Sequence, residues 1–157
     1  MKTQKKSKEG RKKIQSAVID LLKDHEFSEL KVTAICQKAK INRSTFYDNY
    51  LDIFDLADQL REYLTQQFIE LQKDIHEPNF LKLLENIKQN QDQYRIFFKM
   101  QLHVGLAEQI DDNFNQQNKY EKIFFRAGVE AVISNWLINN CQESPAEIAK
   151  IIEEYKK

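Results

Sequence analysis

The chain has 157 residues, with 24 basic and 24 acidic side chains, a formal net charge of zero, 41% apolar residues and 31% charged ones. That balance excludes a disordered chain and fits one domain or two small helical ones. Three Gly and two Pro leave few turn residues for a many-stranded sandwich or barrel, so an all-α fold is expected.

The first helix is expected over 8–25, where Ile14, Ala17, Val18, Leu21 and Leu22 recur at the spacing that puts one apolar stripe on a helix. Its start is crowded by Lys2, Lys5, Lys6, Lys8, Arg11, Lys12 and Lys13, against Glu9 alone. A short second helix covers 32–39, with Val32, Ile35, Cys36 and Ala39 inward. Lys40-Ile41-Asn42 breaks it, and Asn42 is a good N-cap for a third helix over 43–49. Asp52 caps a longer fourth helix, whose apolar face is Ile53, Leu56, Leu60, Leu64, Phe68, Leu71 and Ile75. Pro78 suits the start of another helix, and two or three helices are expected before Asn118, with polar junctions at 88–91 and 113–118. One of the last two spans 120–140. The other opens with Ser144-Pro145-Ala146-Glu147, a capping box with proline in the first turn. The total is about nine helices.

Several function classes receive no support. No apolar run approaches the roughly 18 residues of a membrane span, and no apolar segment follows the basic start, so neither a membrane anchor nor a secretory leader is expected. Cys36 and Cys141 are too few and too far apart for a disulfide framework or a zinc site, which makes a cytoplasmic, reduced protein the default. His25, His76 and His103 share no ligand spacing, and no phosphate loop or nucleophile elbow is present. No catalytic residue, metal or cofactor is expected.

Two short helices across a three-residue turn, framed by longer helices, form a helix-turn-helix pattern. The second helix of such a unit enters the major groove. Its outward side chains here are expected to be Arg43, Ser44, Thr45, Tyr47 and Asn49, all able to hydrogen-bond, with Ile41, Phe46 and Tyr50 inward. Spacing alone leaves open a polar, solvated face on a small helix. Residue identity goes further. Ile35, Ala39, Ile41-Asn42 and Ser44-Thr45-Phe46-Tyr47 resemble the N-terminal signature of TetR/AcrR-family transcriptional regulators. The resemblance covers about 8–57, and a weaker one through Trp136 and Ser144-Pro145 is similar to a short C-terminal domain common in Gram-positive members. It implies a three-helix DNA-binding head over 1–51 and a helical regulatory and dimerisation body over 52–157. It also implies that Thr45 and Tyr47 contact phosphates while Arg43 and Ser44 lie nearest the bases.

Three positions depart from the family pattern. Lys40 stands where the turn often has Gly. Lys31 stands at the usual Thr cap of the second helix, and Thr33, two residues on, is expected to take over and to join the DNA-binding set. Ile53 replaces a phosphate-gripping Lys at the start of the fourth helix, and the basic arm, through Lys8 and Lys12, is expected to supply that contact.

The 120–140 helix is apolar nearly all round, which calls for burial on two sides. A partner subunit is the expected second wall, and the family dimerises through its last two helices. Phe125, Val129, Val132, Ile133, Trp136, Ile148 and Ile152 are assigned to that homodimer interface. A small-molecule effector of unknown identity is an optional partner, with Tyr63, Tyr94, Phe97, Phe98 and His103 as pocket candidates and Arg95 as an alternative polar anchor. Aromatics at helical spacing equally fill core. The mechanism implied by the resemblance is steric: a dimer on a palindromic operator near a promoter represses nearby genes, and a ligand that binds one spacing of the heads better relieves it. The alternative is a protein of this fold that acts mainly by docking on another regulator or enzyme.

The zero net charge is a sum of opposites. Residues 1–50 carry 12 basic and 6 acidic side chains, and residues 51–157 carry 12 and 18. The basic end is the one that bears the helix-turn-helix pattern, so the charge map points a duplex toward the head.

Overall fold

The computed structural model describes residues 2–73, 80–102, 106 and 118–155, with side chains from residue 8 onward. Among them are eight α-helices and no strand, the all-α fold expected. They are α1 (Lys2–Leu21), α2 (Val32–Ala39), α3 (Arg43–Tyr47), α4 (Ile53–Gln72), α5 (Phe80–Gln89), α6 (Gln91–Lys99), α7 (Lys119–Ile138) and α8 (Pro145–Glu154), with a 3-10 turn at Phe27–Glu29. No helix among the described residues is long and apolar enough to cross a membrane. Pro78, His76 and the 113–117 part of the second expected junction lie outside the described residues.

The chain divides into two compact units, 1–66 and 67–157. In the first, α1 begins six residues earlier than expected, so the backbone of the basic start is helical. Ile14, Val18, Leu22, Ile35, Phe46, Leu56 and Leu60 are all fully buried, as their spacing on the helices requires. Each such side chain contributes about 1.5–3 kcal/mol by leaving water. α4 starts where Asp52 dictates: Oδ1 of that residue accepts from the Phe54 and Asp55 amides at 2.8 and 2.9 Å, while Asp55 accepts from the Leu51 amide at 2.8 Å.

The second unit packs Leu83, Leu84 and Ile87 of α5, Tyr94, Ile96 and Phe97 of α6, Val129, Ile133, Trp136 and Leu137 of α7, and Ile148 and Ile152 of α8. The expected capping box is formed. Ser144 Oγ accepts from the Glu147 amide at 3.2 Å, and the Ser144 amide donates to Glu147 Oε2 at 2.7 Å. Those bonds to Ser144 hold the Glu147 carboxyl below its usual range.

A shortage of glycine does not mean a shortage of tight turns. α2, α6 and α7 all end with a left-handed residue, Lys40, Gln101 and Asn140, at φ of 54°, 58° and 58°. In each case the next amide reaches back five residues: Ile41 to Cys36 O at 3.0 Å, Leu102 to Phe97 O at 2.8 Å and Cys141 to Trp136 O at 2.9 Å. That bond satisfies a terminal carbonyl that the helix leaves open. Glycine usually fills this position, and here three ordinary residues do.

Candidate nucleic-acid interface and apolar face

The helix-turn-helix is built from α2, the residues 40–42 and α3. Lys40 takes the left-handed cap of α2, which turns the chain sharply enough for α3 to begin three residues later. Asn42 occupies the N-cap position in an extended conformation, but its side chain makes no capping hydrogen bond. Phe46 is fully buried and Tyr50 nearly so, which anchors α3 to the core by its inner face. Asp20 ties α1 to α2 through Lys38 Nζ at 2.5 Å and also receives Lys23 Nζ at 2.9 Å. These two ammonium groups hold the Asp20 carboxyl down at about 2.

Arg43, Ser44 and Tyr47 are exposed, Thr45 is half-buried, and Lys8, Lys12 and Thr33 are all exposed on the surface. The Arg43 guanidinium lies over the Tyr47 ring, 6.0 Å from its centroid, with Nη2 3.5 Å from the tyrosine hydroxyl. Thr33 is the second residue of α2, inside the helix, so it does not take over the cap. Lys31 occupies that position and makes no side-chain cap bond.

Asn49 differs from its expected outward position. α3 stops at Tyr47, the helical phase is lost, and Asn49 is only 8% exposed. Its backbone amide turns to Phe46 O at 3.0 Å, and its side chain Nδ2 donates to Thr45 O at 2.8 Å. Gly10 of α1 lies against the same spot. A Cβ there would stand 3.1 Å from both Asn49 Nδ2 and Thr45 Cγ2. This close approach carries no signal in a single sequence, because one Gly inside a helical pattern reads only as a weak position.

The residues assigned to a dimer interface separate into two sets. Val129, Ile133, Trp136, Ile148 and Ile152 are buried within the chain itself, and Trp136 Nε1 donates to Glu143 O at 3.1 Å. Phe125 and Val132 are half-buried. The open apolar face on α7 and α8 consists instead of Tyr120, Ile123, Phe124, Ile138, Ile151 and Tyr155, of which Phe124 is 84% exposed. Between the two helices lies an apolar groove of about 220 Å³ lined by Phe124, Phe125, Gly128, Val132, Ile151 and Tyr155, among others.

The effector candidates differ in their surroundings. Tyr94 and Phe97 are buried and pack edge-to-face on Phe68, with ring centroids 5.9 and 5.2 Å from it. Tyr94 Oη donates to Asn86 Oδ1 at 2.7 Å, and burial pushes the phenol up to about 12. These rings fill the core. Phe98 is half-buried, Tyr63 is 41% exposed in the other unit, and His103 lies outside the described residues. Arg95, the alternative anchor, is structural. Its Nε donates to Leu137 O at 2.8 Å and its Nη2 to Asn140 Oδ1 at 2.9 Å, which closes the C-terminal end of α7.

Cys36 and Cys141 are buried free thiols that burial pushes up, which makes them packing residues rather than nucleophiles. Among the described residues no group of three His, Cys, Asp or Glu could hold a metal ion.

No protein-family model matches the chain, and no curated protein matches it. A solved structure described as the dihydroxyacetone kinase operon activator DhaS is similar, at 22% identity and a TM-score of 0.52. The alignment covers 94% of this chain and 96% of that one. A likeness of that degree establishes a shared helical fold along nearly the whole length.

Proposed function

We propose that this chain is a homodimeric DNA-binding transcription regulator of the TetR/AcrR type, with a head over 1–51, a body over 52–157 and its place of work in the cytoplasm. The observation that carries the reading is α3: a short helix anchored by buried Phe46, entered through a three-residue turn, with Arg43, Ser44 and Tyr47 left exposed. Such side chains supply the donors that base edges and phosphates require. The excess of basic residues in 1–50 supports the same end of the chain.

In this reading Arg43 and Ser44 face the bases, while Thr45, Tyr47, Lys8 and Lys12 grip phosphates and Thr33 stands beside them. Asn49 leaves the contact set because it is buried. The face bearing Phe124, Ile123 and Tyr155 pairs with its symmetry mate, since six large exposed apolar side chains on two neighbouring helices call for a cover. The dimer then reads a palindrome and represses neighbouring genes by occupying the promoter, and a small molecule relieves it. That ligand must displace the Phe68, Tyr94 and Phe97 packing or bind elsewhere in the body. The similar solved structure bears the name of an activator, and the sign of control is read directly by measuring neighbouring transcripts in a deletion strain.

The deciding experiment is selection of duplexes from a random library by the full chain. A palindromic consensus is expected, and Arg43→Ala with Tyr47→Ala abolishes its enrichment. Replacing Lys8 and Lys12 by Ala shallows the salt dependence of binding by about 0.9 for each phosphate that is no longer neutralised. Selection of no sequence by the wild-type chain would falsify the reading.

A further inference from the structure

Asn49 is the one buried polar or charged residue among those described, and it sits where the recognition helix meets α1. α3 has only five residues, about one and a half turns, so its own hydrogen bonds cannot hold its direction. Direction has to come from what the helix leans on. Phe46 fixes one side by burial. The other support is at the C-terminal end, where the Asn49 amide N–H has turned to Phe46 O and its side chain caps Thr45 O instead. Gly10 lets the α1 backbone close against this capped end, at a distance where even one methyl group has to push Asn49 and Thr45 aside by a few tenths of an ångström.

Resting on the DNA-binding reading above, we infer that Asn49 and Gly10 form a seat that sets the presentation of α3, so that Asn49 governs sequence discrimination as a positioning residue without touching DNA. Hydrogen bonds to base edges weaken steeply with misalignment, whereas the attraction of lysines to the phosphate backbone tolerates small shifts. A displaced α3 therefore loses its preference for the selected duplex before it loses affinity for DNA in general.

The test uses the full chain, a duplex selected by the wild type and a scrambled duplex of the same composition. Asn49→Leu keeps the number and branching of the side-chain heavy atoms and removes the donor. The ratio of the two affinities is expected to fall roughly tenfold, the discrimination carried by one good base contact, while scrambled-duplex binding stays within about twofold. Gly10→Ala keeps Asn49 and adds helix propensity, so it folds even where Asn49→Leu does not, and its ratio falls in the same direction. A ratio unchanged in Gly10→Ala, or a parallel loss on both duplexes in Asn49→Leu, overturns the seat, the latter by marking Asn49 as a direct backbone contact. Failure of the wild type to select any duplex overturns the DNA-binding reading and the seat with it; selection with an unaltered ratio overturns the seat alone.

Discussion

Lys40 combines a left-handed backbone and an exposed charge at one residue, and Lys40→Gly set beside Lys40→Ala separates the two. The side chain is exposed, so its removal costs no packing, and the backbone sits at φ 54°, ψ 48°. A non-glycine residue in that left-handed region carries about 1–2 kcal/mol of steric cost. Glycine removes it but has more unfolded-state freedom to lose, about 0.5–1 kcal/mol, which leaves a net gain of about 0.5–1 kcal/mol. The two cap bonds, Lys40 N to Gln37 O at 3.2 Å and Ile41 N to Cys36 O at 3.0 Å, are backbone bonds that glycine retains. Lys40→Ala is the control, because it removes the same charge and keeps the strain. Hydrogen exchange at the Ile35 and Phe46 amides reports local stability of this unit, and it should place Gly above Ala by about 1 kcal/mol. DNA binding should respond oppositely: if the ammonium meets a phosphate, Gly and Ala lose affinity equally, with a salt slope shallower by about 0.9. Equal protection in Gly and Ala would show that the turn stores no strain, and the account of the cap would be wrong.

Three further outcomes follow from the geometry. Phe124→Asp should turn a dimer into a folded monomer on sedimentation at micromolar concentration, because an exposed substitution changes a monomer by no more than about 0.5 kcal/mol but places an unpaired charge in an interface; an unaltered dimer would remove this face from the interface. Arg95→Met should cost about 1–3 kcal/mol in urea denaturation by leaving Leu137 O and Asn140 Oδ1 without their charged donor, and a loss below about 0.5 kcal/mol would show that these bonds are idle. For Asp20 the folded-state pKa is depressed from 3.8 to about 2 by Lys38 and Lys23. The unfolded chain therefore takes up this proton first, so the stabilisation is full above pH 3.8 and is lost as pH falls toward 2. Asp20→Asn should flatten that part of the acid-denaturation curve, and an unchanged curve would discount the ion pair.

The local code of the chain is legible wherever one short stretch decides its own geometry. Asp52 and Ser144 have side chains that reach their own helix amides, so two helix starts follow from a few residues each. The apolar spacing of Ile14, Val18, Ile35, Leu56 and Leu60 selects the buried side of α1, α2 and α4 because water penalises every other rotation. The helix-turn-helix is readable for the same reason, down to the three-residue turn.

Tertiary structure decides what periodicity leaves degenerate. Along α7 nearly every direction is apolar, so the pattern cannot say that Trp136 and Ile133 face the core while Phe124 and Ile138 face outward; the neighbours in the second unit choose between them. Asn49 reads as outward only if helical phase extends two residues beyond Tyr47, where the helix in fact ends and the side chain turns back under α1. Arg95 reads as an anchor for a ligand until α7 brings its last carbonyls within reach. The charge partition, with its net excess of basic residues in the first fifty positions, belongs to the sequence alone. How α3 is held among those fifty residues depends on a close approach of Gly10 to Asn49, two positions far apart along the chain that no local pattern connects.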